Sequence, residues 1–504
     1  MRTATVRFRA GLNPTGTDTR NGEFLRECLG MRPVSGGLEP HPAITGEVLT
    51  ALTGRVDSWT ASRLFRLEES RVVAYAKTAG EVTSGAIAVH NGSAWAPVTV
   101  YDWASVLAGG TLSEAATLAP QNWHGFNYRR VAFLFDGMRG VYINNPDEDW
   151  AWAYAKDVCR TGCHHQGRIL FANFAPTTFG EYSWIGTFLP DLGGFDTNTV
   201  WWSSAGADDA LMHFLPLGSE GVEPFAPDAA YVERLADLHA SGQMGIARVP
   251  YRGQTHGVHR LIPIGDHVAV FGRHGMSLLT LQEEPADGYG LTVAAPGWPQ
   301  GLSLMNRLAV DGDDASGLVA LAQDGTVYRI GADGVAVALG YRHLFAGATY
   351  AAVERDPLNG GHYIGHPGAA YYLDRYGLSK APCMPSGLEI VSGGLVSVLS
   401  ETPASTVRVA TDTMLPPDRM GVLSAVRLLG AVTSESRLSV KWLQGNIMRE
   451  TTPVAPDARG IANVNVPVHA HQVVVSGTPS GVTLDGVELF YADHRNAAVG
   501  LWSD

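Results

Sequence analysis

The sequence predicts an all-β chain whose central body is a β-propeller. Three observations lead there: short apolar runs separated by Gly-containing turns, the recurrence of that strand, turn, strand unit along the chain, and a high glycine count. The clearest unit is His259 to Leu281. Leu261-Ile262-Pro263-Ile264 meets a Gly265-Asp266 turn, His267-Val268-Ala269-Val270-Phe271 meets a second turn at Gly272-Arg273-His274-Gly275, and Met276-Ser277-Leu278-Leu279-Thr280 follows. Runs this short, rich in branched apolar residues, form hairpins and not helices. Copies stand at Arg71–Tyr75 with Ala86–Val89, at Arg130–Phe135 with Gly140–Ile143, at Leu318–Ala322 with Thr326–Ile330, and more weakly at Ala369–Leu378. A hairpin unit recurring at roughly 50–60 residue intervals is the pattern of a propeller, here with about five to seven blades.

Composition agrees with many short elements. The 504 residues include Gly 59 and Pro 28, which tight turns require. At 45% hydrophobic and 17% charged, the chain can bury a large core. A formal charge of −13 argues against a surface that wraps nucleic acid from outside, because phosphate neutralisation needs clustered Lys and Arg. It leaves open a duct through which DNA slides without sticking. The start, MRTATVRFRAGLNPTG, lacks the apolar core of a signal peptide, and no stretch is long and apolar enough to span a membrane. Synthesis in a cytoplasm and no membrane span are therefore expected. Cys28, Cys159, Cys163 and Cys383 are too few for a disulfide scaffold and are read as reduced.

In chain order, residues 1–70 read as an alternating strand, Thr3 to Phe8, followed by an extended N-terminal arm. The segment Arg32 to Pro42 is expected to hold no regular element, since its prolines remove donors and its glycines remove restraint, and to lie on another surface. Residues 71–400 form the propeller. Leu112–Leu118 is a short helical candidate, and Asp228–Ser241 a better one: Asp228 can cap it, Tyr231, Leu235 and Leu238 share a face, and Gly242 stops it. That short helical insertion reads as cover for a blade edge. Residues 401–504 alternate more cleanly, at Val407, Ala425–Leu429, Arg437–Trp442, Ile461–Val468, Gln472–Ser476 and Thr483–Tyr491, as a C-terminal β-sandwich does when one face of each sheet is in the core. An apolar tail after Arg495 is left for a neighbour.

Residues with chemistry are few. Cys159, Cys163, His164 and His165 offer zinc ligands, but adjacent histidines on a strand point to opposite faces, and the other reading is a turn with incidental polar groups. Asp147, Glu148 and Asp149 could be acid/base or calcium groups but read as a solvated loop, and Asp147, Asp208 and Asp209 are carboxylates a propeller glycosidase could use. Asp311-Gly312-Asp313-Asp314 approaches a calcium loop but lacks the distal glutamate. Trp201-Trp202 and Trp123-His124 suit either stacking on sugars and bases or a blade interface. The Arg248–Arg260 run is too dilute for a nucleic-acid site, although it suits a channel wall. No catalytic, cofactor or metal residue is assigned, and no cofactor is expected.

Two segments carry a resemblance. Asn198-Thr-Val-Trp-Trp-Ser-Ser-Ala-Gly-Ala-Asp-Asp209 and Leu261-Ile-Pro-Ile-Gly-Asp through Phe271-Gly-Arg to Thr280 resemble the tail nozzle, tail-hub and head-to-tail propellers of double-stranded DNA bacteriophages. Asp324-Gly-Thr-Val-Tyr328, Leu339 to Phe345 and the ending Tyr491-Ala-Asp-His-Arg495 are similar too, so the likeness covers roughly residues 125–495. It implies a structural virion protein of the tail, not an enzyme, self-associating into a ring, often a hexamer, below the connector. Its partners would be other tail or adaptor proteins and DNA passing non-specifically through the lumen. The competing expectations are a propeller that binds host-surface carbohydrate or protein, and a propeller glycoside hydrolase. On the virion reading His267, Arg273 and His274 are turn and rim residues.

Overall fold

The computed structural model describes residues 2–8, 10–15, 24–46, 52–56, 58–67, 70–90, 93–102, 118–128, 131–144, 152–156, 159–174, 196–205, 229–249, 257–282, 288–314, 316–398, 407–416, 421–431, 433, 435–444, 447–468, 470–477 and 483–492. It is almost entirely β and propeller-like. Five strands open the chain: β1 (Arg2–Arg7), β2 (Leu25–Leu29), β3 (Met31–Val34), β4 (Gly37–Pro40) and β5 (Ile44–Gly46).

A series of small antiparallel sheets follows. The first is β6 (Ser62–Leu67), β7 (Ser70–Ala79), β8 (Val82–His90) and β9 (Trp95–Val98). Strand β10 (Val100–Asp102) then runs ahead to the second sheet, β11 (His124–Tyr128), β12 (Val131–Phe135), β13 (Gly140–Asn144) and β14 (Trp152–Lys156), where it pairs in parallel with β14. The third holds β15 (Cys159–His165), β16 (Arg168–Phe174), β17 (Thr199–Trp202) and, after helix α1 (Ala229–Ala240), β18 (Gly245–Arg248). The fourth is β19 (Val258–Ile264), β20 (His267–Gly272), β21 (Gly275–Leu281) and β22 (Tyr289–Thr292). The fifth is β23 (Val310–Asp313), β24 (Gly317–Leu321), β25 (Val327–Ile330) and β26 (Ala336–Gly340). One turn of helix, α2 (Arg342–Phe345), leads to the sixth: β27 (Ala352–Arg355), β28 (His362–His366), β29 (Ala369–Asp374) and β30 (Gly377–Lys380). The seventh has β31 (Ser386–Val391) and β32 (Gly394–Val398), and takes its third strand from the other end of the chain, β5, which pairs in parallel with β32.

The lead strands touch in cyclic order. β6 contacts β11, β11 contacts β15, β15 contacts β19, β19 contacts β23, β23 contacts β27, β27 contacts β31, and β31 returns to β6. Each sheet sends alternate residues to its two neighbours. In β20, Val268 and Val270 pack with Leu170, Ala172 and Trp202 of the third sheet. Ala269 and Phe271 pack with Leu318, Ala320 and Ile330 of the fifth. In β24 the alternation repeats, with Val319 and Leu321 turned to Val353 and Ile364 of the sixth. Strands buried on both faces need apolar residues at every position, which is why these runs are continuous and not alternating. Burying each such side chain is worth about 1.5–3 kcal/mol.

The remaining strands are β33 (Val407–Thr411), β34 (Gly421–Ala431), β35 (Arg437–Gln444), β36 (Ile447–Glu450), β37 (Ile461–Val468), β38 (His471–Gly477) and β39 (Thr483–Ala492). They form two sheets that share a core, with Val409, Val440, Val473 and Val475 meeting Val426, Leu428, Val487 and Leu489. The N-terminal strands are built into both. β1 pairs with β39 along its whole length, and β4 meets β39 as well. β2 lies between β30 and β33, joining the sixth sheet to β33-β38-β35-β36 in one nine-stranded sheet.

The expected arm is thus replaced by strands, and Arg32–Pro40 is a hairpin. Val34 pairs with Gly37 across a Ser35-Gly36 turn in which Gly36 has φ 94°, and Met31 and Leu38 are fully buried. Pro33 is tolerated because β3 is at the sheet edge, where a missing N–H leaves no carbonyl unpaired. The first sheet also begins at Ser62, ahead of the expected boundary. Helix α1 is present, inserted between β17 and β18, and ends with Gly242 at φ 77° and the Ser241 N–H on the Asp237 carbonyl (2.9 Å). Asp228, the Leu112–Thr117 part of the other helical candidate and the tail from Asp493 lie outside the described residues. No helix among the described residues is long and apolar enough to cross a membrane.

A chain lacking residues 1–46 loses strands from three sheets. Such a truncation is expected to show no cooperative thermal transition by circular dichroism; an unchanged melting curve would mean that the segment is a dispensable arm.

Candidate functional site

The lead strands bury polar residues as well as apolar ones where they touch one another. Arg63 on β6, His124 on β11, Thr161 on β15, Arg260 on β19, Glu354 on β27 and Ser386 on β31 are all buried, and Asp311 on β23 is half-buried. A cavity of about 370 Å³ opens among them, with Arg63, Phe126, Arg260, Asp311, Glu354 and Glu389 on its wall.

Two networks tie the strands together. Arg63 and Glu354 form a two-pronged pair, Nη1 to Oε1 at 3.1 Å and Nη2 to Oε2 at 3.2 Å. Glu354 also accepts from the Gly387 N–H. Gly387 has φ 73°, and a Cβ there would stand 2.2 Å from the Leu64 carbonyl oxygen, so glycine lets β31 close on β6. On the opposite arc the Asn122 carbonyl accepts from His124 Nδ1 (3.3 Å), which leaves Nε2 to accept from the Thr161 hydroxyl (3.1 Å). Thr161 Oγ1 accepts in turn from the Leu261 N–H (3.3 Å).

Burial dominates the electrostatics. It pushes the Glu354 carboxyl up to about 7, against the pull of Arg63. It likewise raises Glu389 to about 7, against Arg71 and Arg66. Arg260 is lowered to about 10 by burial and by Arg63 and still carries its charge at neutral pH. His124 is held neutral by burial and by Arg260 and Arg307. Arg260 is 7% exposed, and its Nε and Nη1 have no hydrogen-bond partner; neither do the two oxygens of Glu389, 6% exposed. The arrangement can hold a polar small molecule and offers carboxyls poised near neutrality.

Most residues singled out in the sequence have structural duties. Cys159 and Cys163 are buried thiols on β15, and Cys28 and Cys383 are buried as well. His165 donates from Nε2 to the Gly265 carbonyl (2.9 Å), so its Nδ1 accepts from the Tyr289 hydroxyl (2.7 Å) and no ring lone pair is left for a metal. His164, on the other face, packs edge-on against Tyr128. Among the described residues no group of three or more His, Cys, Asp or Glu is placed to hold a metal. Asp311 Oδ2 accepts from the Arg355 N–H (2.9 Å), Asp313 pairs with the Arg355 guanidinium, and Asp314 accepts from the Gly265 N–H (2.8 Å), so each of the three is engaged by a protein donor. Trp201 and Trp202 are buried against Phe171 and Tyr289, and Trp123 is buried with Leu134 and Val141. His267 bonds Thr280 and His274 bonds Ser277 at the hairpin turns, with Arg273 exposed beside them. Asp147, Glu148, Asp149, Asp208 and Asp209 lie outside the described residues, as do residues 250–256 of the Arg248–Arg260 run. Of that run, Arg260 reaches the axis.

No protein-family model matches the chain, and no curated protein matches it. Solved structures with some backbone likeness include Kluyveromyces lactis Hsv2, at 9% identity over 63% of this chain and 84% of that one, with a TM-score of 0.32. An exo-β-1,3-galactanase from Phanerochaete chrysosporium has 9% identity over 85% and 95%, at 0.26. PorZ, a surface component of the type-IX secretion system of Porphyromonas gingivalis, has 12% identity over 89% and 46%, at 0.37. At these scores the likeness carries no argument about activity.

Glu354→Gln isolates the effect of the buried acid. Folding raises this carboxyl from 4.5 to about 7, so the folded state holds its proton more tightly than the unfolded chain does. The stability this contributes is complete below the unfolded value and is lost as pH rises through 7, by about 3 kcal/mol at most. The melting temperature of the variant relative to the parent is therefore expected to climb between pH 5 and 8; a flat difference would mean that Glu354 ionises normally.

Proposed function

We propose that the chain is a closed seven-bladed β-propeller with a C-terminal β-sandwich, and that it serves as a structural, ring-forming component of a bacteriophage tail. The propeller reading rests on the cyclic contact of the lead strands and on β5 completing the last sheet from the other end of the chain. The observation that carries the ring reading is the free edge of the nine-stranded sheet. There β36 pairs on one side with β35 and exposes Ile447 and Met448 at 63% and 58%, with Leu443 at 45% beside them. An exposed apolar edge strand is a template for another chain, and a second copy meeting it with a different surface gives a heterologous contact that closes into a ring.

Two further features support this role. The N-terminal strands lace propeller and sandwich into one continuous β body, suited to bearing load. The axis of a single copy is filled by buried, hydrogen-bonded side chains around a cavity of small-molecule size, so DNA would pass through the lumen enclosed between copies. A net charge of −13 would limit its sticking there.

Negative-stain imaging and mass photometry of the purified full chain test the proposal. Rings are expected for the parent and monomers for the Ile447→Lys, Met448→Lys double variant at unchanged melting temperature. A parent that stays monomeric at all concentrations and binds host glycans would favour the host-surface reading, and turnover of those glycans the hydrolase.

A further inference from the structure

We propose that the axial cavity binds a small acidic sugar, a uronate of one or two rings, whose carboxylate is held by Arg260 and whose hydroxyls are held by Asp311 and Glu354. This does not rest on the ring reading, since the cavity lies within one copy.

The starting point is the guanidinium of Arg260. It is 7% exposed, and two of its nitrogens have no acceptor. A buried cation with unfilled donors is costly, and an oxyanion is the ligand group that fills them best, through short charge-assisted hydrogen bonds. No nearby side chain takes this role. Glu354 is bonded to Arg63 and Asp311 to the Arg355 N–H, neither of them to Arg260, and both keep acceptor lone pairs for hydroxyl donors.

The rest of the wall argues for a sugar over a bare inorganic anion. A volume of about 370 Å³ is within the range of organic-ligand pockets and far exceeds the needs of one phosphate. Carboxyl groups repel a multiply charged anion but accept hydrogen bonds from hydroxyls, and Asp311 and Glu354 stand on the same wall as Arg260. Phe65 and Phe126 line the cavity too, which suits the C–H face of a sugar ring. One carboxylate, several hydroxyls and an apolar face together describe a uronate.

The test uses the full-length protein with D-glucuronate, D-glucose and inorganic phosphate as probes, followed by calorimetry and ligand-observed NMR. D-glucuronate is expected to bind saturably, with D-glucose weaker by roughly tenfold or more for want of the carboxylate. Arg260→Met should weaken D-glucuronate by a similar factor and leave D-glucose unchanged. Its fold is checked by its melting temperature, and should it fail to fold, Arg260→Lys replaces it, expected to bind D-glucuronate more weakly than the parent because the planar fork is gone. The proposal is overturned if D-glucuronate shows no saturable binding, if phosphate binds more tightly than D-glucuronate, or if the Arg260 variant binds D-glucuronate like the parent.

Discussion

Everything in this fold hangs on the pairing of β5 with β32. A cyclic array of twisted sheets has one seam where the chain's two ends meet, and an unclosed seam would expose sheet edges and the flanks of two neighbouring cores. Here the seventh sheet contributes β31 and β32, and the N-terminal β5 supplies the missing strand. Because β2 is simultaneously bonded to β30 and β33, the same N-terminal segment also joins the sixth sheet to the β33-β38-β35-β36 sheet. Loss of the N-terminal segment that carries β1 to β5 would therefore be felt in three sheets at once.

That constraint explains what the sequence could and could not reveal. The runs Val268-Ala269-Val270-Phe271 and Leu318-Val319-Ala320-Leu321 are apolar at every position because each strand faces a neighbour on both sides, and such runs are visible without any structure. Strands in the C-terminal sheets alternate because one face of each sheet lies outside the core; Leu438 and Val440 are buried while Arg437 is exposed. The N-terminal strands were the opposite case. Met31-Arg32-Pro33-Val34 and Gly37-Leu38-Glu39-Pro40 have poor strand propensity; they pair with each other as a hairpin, and Leu38 anchors that hairpin on Leu484, more than four hundred residues away.

The candidate site was almost invisible for a related reason. Arg63, Arg260, Asp311 and Glu354 are single charges embedded in separate strands, spread over some three hundred residues, and no local motif relates them. The residues that did look like a motif, Cys159 to His165, are adjacent on one strand and serve adjoining junctions, with His165 bonded to the fourth sheet and His164 packed on the second. A usable signal existed in one form only: a charged residue interrupting the first strand of a unit, as in Ala-Val-Glu354-Arg and His-Arg260-Leu-Ile. Arg260, in a run that suits a channel wall, and Asp311, in an acidic loop, are the members that stand out in the sequence.

Why the axis is polar at all follows from the same geometry. Lead strands that touch one another along the series leave a cavity between them, and Arg63, Arg260, Asp311 and Glu354 stand on its wall. Paired charges suit such a place less for stability than for specificity, because desolvation consumes most of the Coulomb attraction. The raised Glu354 carboxyl is the mark of that compromise: burial outweighs even a two-pronged arginine. What the pair does secure is register. β6 and β27 flank the three-stranded seventh sheet, and with Glu354 also accepting from the Gly387 N–H of β31, one carboxylate ties together the three lead strands at the seam. A slip of one residue in any of them would bury an unpaired charge, so the correct closure is selected by the cost of every other one.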